Sequence, residues 1–237
     1  MLELYHGEPA ANSLKSLLCL KEKGLDFVSH RLNLGEFEQH EPAYVAINPH
    51  GQVPTLVHDG NVITESTLIN EYLEDVYPEP RLRPEDPVAR AHMRYWTKFV
   101  DEYFCPALSV LGWQAIIKGM VEHLSEQEFE AKIARIPLQE QRDKWRIAAK
   151  QAFPKDQLDD CSRRVDVSVA RIEAALEKSP WVAGPDYTLA DIACFAMMAG
   201  MPVFQPKIMN RENAPRCMDW HARMLGRPAV KATLAIP

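Results

Sequence analysis

The first 80 residues switch between two periods of hydrophobic spacing. Residues 2–5 form a short apolar run that reads as a strand, followed by a turn at Gly7 and Pro9. Leu14, Leu17, Leu18 and Lys21 then recur at helical spacing. They predict a helix from a cap at Asn12 or Ser13 to about Lys23, stopped by Gly24. Residues 27–32 read as a second strand and 42–47 as a short helix ended by Asn48-Pro49. Apolar runs at 55–57 and 62–64 flank Asp59-Gly60, a pair whose tolerance of left-handed backbone marks a tight hairpin. Ser66 opens a further helix to Tyr77, with Leu68, Ile69, Tyr72, Leu73 and Val76 on one stripe. A strand-helix crossover followed by a hairpin predicts a small mixed sheet with helices on its faces.

Residues 78–87 (PEPRLRPEDP) carry four prolines and cannot continue a helix. The chain is therefore divided into a first domain (1–80), a linker (81–87) and a second domain (88–237). In the second domain the strand signals fade. Helices are predicted over 88–119, 139–151, 157–178, 189–199 and 215–225. Another opens at the capping box Ser125/Glu128 and is ended by Pro137, and Thr188/Asp191 repeats the capping-box spacing before the apolar helix from 189. The fold class is α/β plus all-α.

Composition narrows the function classes. The chain has 237 residues, long enough to bury a core without disulfide or metal staples. Asp and Glu outnumber Lys and Arg by 33 − 27 = 6, so there is no basic excess to neutralise phosphates, which argues against nucleic acid or an anionic membrane as partner. The start lacks the basic-then-apolar pattern of a leader, and the most apolar stretch, 192–204, is too short to cross a bilayer and holds Pro202. Five scattered cysteines without a CxxC pair suit a reducing, cytoplasmic setting. Eight histidines without ligand spacing predict no metal.

Three places could carry chemistry. At the first strand-to-helix turn, Asn12 and Ser13 stand where unpaired N–H groups and a helix dipole favour an anion, which a hydroxyl could also reach; a plain cap is the competing reading. Gln52-Val53-Pro54 precedes a strand, and a proline there is open to the cis isomer and leaves backbone groups for an extended ligand; a plain turn is the alternative. Glu65-Ser66 opens the helix after the hairpin, where serine could hold a carboxylate and glutamate an ammonium, or simply cap.

In this order and spacing, these positions together with the stretch Trp181-Val-Ala-Gly-Pro-Asp-Tyr-Thr-Leu-Ala-Asp191 resemble the glutathione transferase family over essentially the whole chain. The resemblance implies a thioredoxin-like first domain, a helical second domain and a homodimer, with glutathione as co-substrate. It implies that Val53 pairs with the cysteinyl part of glutathione beside a cis Pro54. Glu65 and Ser66 would hold the γ-glutamyl end, with Gln39, His40 and Gln52 near its other polar groups, and Ser13, assisted by Asn12, would lie at the sulfur. Tyr5 stands where tyrosine-using members carry theirs, and Ser13 is preferred because it opens a helix. Thr188 and Asp191 are read as folding residues.

The magnitudes allow a thiolate. A hydrogen bond to a charged group (roughly 1.5–3 kcal/mol) plus a helix N-terminus (about 0.3–1) would lower a thiol pKa of ~8.5 by roughly 1.5–3 units.

Further matches at 11–15, 37–40, 48–54, 95–105 and 134–145, with a long charged insertion near 120–160, resemble the glutathione-dependent β-etherases of lignin-degrading bacteria. That implies thiolate attack at Cβ of an α-keto aryl ether, release of a phenol such as guaiacol, and a leaning to the S configuration. The alternatives are a general detoxifying transferase and a non-catalytic interaction domain. An aromatic ether needs an apolar wall, for which Tyr103, Phe104, Trp113, Met197, Met201 and Phe204 are the candidates, each with core packing as the competing reading. Trp96 and Trp220 are read as core. Asp101 could help organise a partner subunit's site, with a solvated face as the competing reading.

Overall fold

The computed structural model describes residues 1–236. Strands β1 (Leu2–His6), β2 (Val28–Arg31), β3 (Thr55–His58) and β4 (Asn61–Thr64) form one sheet in the order β2-β1-β3-β4, with β1/β2 parallel and the other two pairs antiparallel. Helix α1 (Ala11–Glu22) makes the crossover from β1 to β2, α2 (Pro42–Val45) precedes β3, and α3 (Ser66–Val76) follows the hairpin. Asp59 and Gly60 both take positive φ, 48° and 83°, as the Asp-Gly pair requires. Along β1 the side chains alternate between the faces: Leu2 and Leu4 go into the main core with α1 and α3, while Tyr5 stacks on His30 at 4.3 Å.

The expected linker loses its last residue, because Pro87 is the first residue of α4 (Pro87–Phe99), a position where its missing N–H costs nothing. Asp86 caps that helix through Val88 and Ala89 N–H. Helix α4 runs through a π-helical turn, Val100–Phe104, into α5 (Cys105–Val121). This 35-residue rod is long and apolar enough to cross a bilayer by length and composition, a stretch longer than the expected 192–204. In the fold it is the post on which α7 (Gln139–Lys150), α8 (Lys155–Leu176) and α9 (Leu189–Met198) pack.

Both capping boxes are made. Ser125 and Glu128 open α6 (Glu126–Ile133), and Thr188 and Asp191 open α9. The Asp191 carboxylate is fully buried and accepts from Val182 N–H, Thr188 N–H and Trp220 Nε1–H at 3.0–3.1 Å. Burial outweighs these bonds and pushes its pKa up to about 6. Trp220, on α11 (Pro215–Gly226), is core as expected, and α10 (Met201–Phe204) and α12 (Pro228–Leu234) are short helices the hydrophobic pattern does not signal.

The core is in two parts. The main cluster joins the sheet, α1 and α3 to α4, α5, α8, α9 and α11. A second cluster, built on Phe129, Ile133, Trp145 and Phe153 of the charged insertion, closes over Phe37 from the first domain, whose ring lies 4.4 Å from that of Trp145. Around it Lys132 binds Glu36 and Arg135 binds Glu41, so the insertion is fastened to the segment just before α2.

Candidate active site

The sheet register gathers three loops. Tyr5 pairs with Thr55, and Thr55 with Thr64, so the end of β1, the start of β3 and the end of β4 lie side by side. Residues 7–13, 52–54 and 65–66 are therefore brought to the same end of the sheet.

The start of α1 differs from expectation. Ala10 is extended and caps the helix without a side-chain bond, and Ala11, the first helical residue, has φ 46°. Asn12 and Ser13 thus lie within the first turn instead of capping it. The consequence is chemical: the Ser13 hydroxyl is not spent on the helix. It is buried and accepts the Gly7 N–H at 3.0 Å, which leaves its own proton free for another acceptor. The Cys105 thiol donates to Asn12 Oδ1 at 3.9 Å, which leaves the Asn12 amide N–H groups free. Tyr5 lies with His30 and Tyr44, and its phenol is pushed up by burial and by Glu3, the wrong direction for activating a thiol.

At the second loop the Val53–Pro54 peptide is cis. The Gln52 carbonyl is taken by Tyr44 Oη–H at 2.5 Å and Asn48 Nδ2–H at 2.8 Å, while the Gln52 side chain is exposed. Among the described residues the N–H and C=O of Val53 have no hydrogen-bond partner. Gln39 and His40 form a short helical turn beside this loop, and both are buried. Gln39 Oε1 and His40 Nδ1 lack partners. Gly51 sits so close that a Cβ there would come 2.5 Å from His40 Nδ1. Burial, with help from Arg135, pushes His40 down to about 4.

At the third loop Glu65 holds φ 66° and caps α3 without a side-chain bond, and Ser66 is buried at the first helical position. A non-glycine residue so placed stores on the order of 1–3 kcal/mol of strain, which its surroundings must hold. Part of that hold comes from Lys15. Its side chain is 1% exposed, and Nζ donates to Thr67 Oγ1 at 2.7 Å and Asp101 Oδ1 at 2.6 Å. Asn70 Nδ2–H donates to the Lys15 carbonyl at 3.2 Å. Asp101, expected to serve a partner subunit, is engaged within its own chain.

The expected aromatic wall is largely core. Phe104, Met197 and Met201 are buried in the main cluster, and Phe204 is 73% exposed. Tyr103 stacks on Phe99 at 5.3 Å and lies under the guanidinium groups of Arg164 and Arg171, facing α8. Asp101 and Cys105, four residues apart, face α1, while Tyr103 faces α8. Trp113 is half-buried and meets Trp145 of the second cluster at 4.9 Å. Cys105, Ser109, Gly112 and Trp113 recur at helical spacing, and a Cβ at Gly112 would meet open space. A separate cleft lined by His92, Tyr95, Trp96, Arg171 and Lys178 lies between α4 and α8 and includes none of these residues.

The family model of the glutathione S-transferase N-terminal domain matches residues 11–76, and that of the C-terminal domain matches 126–228. The chain belongs to the glutathione S-transferase family. It is 48% identical to Protein LigF of Sphingobium sp. strain SYK-6 over 236 residues, covering 97% of this chain and 91% of that protein. The crystal structure of β-etherase LigF from that strain superposes with a TM-score of 0.94, at 47% identity and 98% coverage of both chains. Glutathione S-transferase F13 of Arabidopsis thaliana is 28% identical, covering 81% of this chain and 76% of its own.

Within this transferase fold, residue patterns missed Lys15 and Lys144. Lys15 sits in an ordinary amphipathic run, and Lys144 lies in the charged sequence QEQRDKWR that reads as a solvated face. The π-helical turn carries no sequence mark either.

Proposed function

We propose that this transferase cleaves the β-O-4 aryl ether bond of lignin-derived α-keto compounds, using glutathione as co-substrate and releasing a phenol such as guaiacol with a glutathione thioether. The reading is carried by the likeness to LigF along nearly the whole chain, in sequence and backbone together. It leans to the S-configured substrate.

Ser13, with a free hydroxyl proton beside the unpaired N–H groups of the first turn of α1, is the partner for the glutathione thiolate, and the Asn12 amide assists. Val53, next to cis Pro54, offers its free N–H and C=O to the cysteinyl backbone. Glu65 and Ser66 take the γ-glutamyl ammonium and carboxylate, and Gln39, His40 and Gln52 take the remaining polar groups. The sulfur attacks Cβ, which the adjacent ketone makes electrophilic, and the Cβ–O bond breaks on the opposite side. Holding thiolate and carbon in line supplies much of the acceleration. Trp113 provides the aromatic wall on the α5 side, and the core placement of Tyr103, Phe104, Met197 and Met201 limits them to supporting it.

The protein works as a homodimer in the cytoplasm. Exposed Val62, Leu68, Val88 and Tyr95 on β4, α3 and α4 supply apolar surface for a second copy, and all five cysteines are free thiols.

Incubation with glutathione and the two enantiomers of an α-keto β-guaiacyl ether tests the reading. Guaiacol release from one enantiomer supports it. Turnover of a chloro-nitroaromatic alone would make the protein a general detoxifying transferase, and no turnover of either would make it a binding domain.

A further inference from the structure

Lys144 projects from α7 toward α5. Its Nζ donates to Ser109 Oγ at 2.9 Å and lies 4.2 Å from the Trp113 ring centroid. Ser109 is one turn, about 6 Å, along α5 from Cys105, whose thiol touches Asn12. The ammonium therefore stands beside Ser109 and Trp113, one to two turns along α5 from the Cys105 thiol that touches the first turn of α1. Most lysines of this chain are exposed or paired with a carboxylate. Lys144 is half-buried, and among the described residues no carboxylate lies within ion-pair distance of it. The titratable groups nearest it are the thiols of Cys105 on α5 and Cys161 on α8, and burial holds its pKa below the ordinary lysine range. A cation kept half out of water with no counter-ion, this close to the first turn of α1, is poised for an anion that arrives with the substrate.

We propose that Lys144 is a catalytic residue of the aryl ether cleavage and that its ammonium donates to the departing phenolate oxygen. This rests on the ether-cleaving reading above. The glutathione sulfur gives its electron pair to Cβ, forming the S–C bond. The Cβ–O bond breaks and its electron pair leaves on the aryl oxygen. Lys144 passes a proton to that oxygen, so that phenol departs, and the amine takes a proton back from water. The thiol proton was lost to solvent when the thiolate formed, so glutathione and ether give thioether and phenol with all atoms balanced. Trp113 holds the ammonium over its face, and Ser109 fixes its height on the helix.

The test is a series of α-keto aryl ethers whose leaving phenols run from nitrophenol to methoxyphenol, compared between wild type and Lys144→Met. For the methoxyphenol ether, the variant should lose roughly 10²-fold in kcat/KM. For the nitrophenol ether, whose phenolate leaves without help, the loss should shrink toward none, so the variant's rate depends more steeply on leaving-group pKa. Glutathione affinity should be unchanged. Lys144→Gln removes the charge while keeping a donor for Ser109. It gives the same steepened slope if Lys144→Met does not fold. Parallel slopes, whether from equal rates or from a uniform loss, would overturn the role of Lys144 while leaving ether cleavage intact. A wild type that frees no phenol from any ether would sink both readings.

Discussion

The starts of α1 and α3 differ from those of the capped helices α4, α6 and α9. In the second domain α4, α6 and α9 begin on Asp86, Ser125 and Thr188, each accepting first-turn N–H groups. In the first domain α1 and α3 begin on Ala10 and Glu65 with no side-chain bond, and each carries a non-glycine residue at positive φ, Ala11 at 46° and Glu65 at 66°. A helix start that is fully bonded internally has nothing left for a ligand. One that is left open costs stability and offers donors. A missing cap alone does not set the first domain apart, since α7, α8 and α11 also start without one; what marks α1 and α3 is a non-glycine residue at positive φ in each start, at the loops that the sheet register brings together.

The largest effect expected from this contrast is at α9. Asp191→Ala leaves the N–H groups of Val182 and Thr188 and the indole N–H of Trp220 buried without an acceptor, at about 1–3 kcal/mol each. Denaturant unfolding should show a loss above roughly 3 kcal/mol, while any folded protein keeps its KM for glutathione. Ser13→Ala should do the reverse. Turnover falls about 10²-fold, and stability falls by only about 1–3 kcal/mol, since the Gly7 N–H alone loses its acceptor. A Ser13→Ala protein that is active but unstable would break the contrast. Ser125→Ala, a cap far from the loops, should cost about 1 kcal/mol and leave kinetics alone. The smallest effect sharpens the point. Ala10→Asp should cap α1 and gain up to roughly 1 kcal/mol, yet raise KM for glutathione, because its carboxylate competes for the same donors.

How far the fold could be read from the chain follows the same line. The Asp59-Gly60 hairpin, the two capping boxes and the apolar stripes of α3 and α8 are local patterns, and local patterns are visible in sequence. The start of α1 was misjudged because serine and asparagine are good caps wherever they occur, and only the extended backbone at Ala10 shows that the helix begins earlier. The wall residues are hidden because aromatic and methionine side chains read alike whether they fill a core or line a site, and the π-helical turn at 100–104 leaves no mark in the periodicity. Phe37, Lys15 and Lys144 depend on contacts between segments about 35 to 110 residues apart, between Phe37 and Trp145, Lys15 and Asp101, and Lys144 and Ser109. The family resemblance, by contrast, was legible, because it rests on short stretches in fixed order.

The central claim is that the opening turn of α1 and the Ser13 hydroxyl together ionise the glutathione thiol. The direct measurement is the pH titration of the ultraviolet absorbance of the bound thiolate in wild type and Ser13→Ala. The account predicts a wild-type midpoint at least about one unit below the ~8.5 of an ordinary thiol, and a variant midpoint that moves back toward it. Equal midpoints in the two proteins, or a wild-type thiol that titrates like free glutathione, would contradict it.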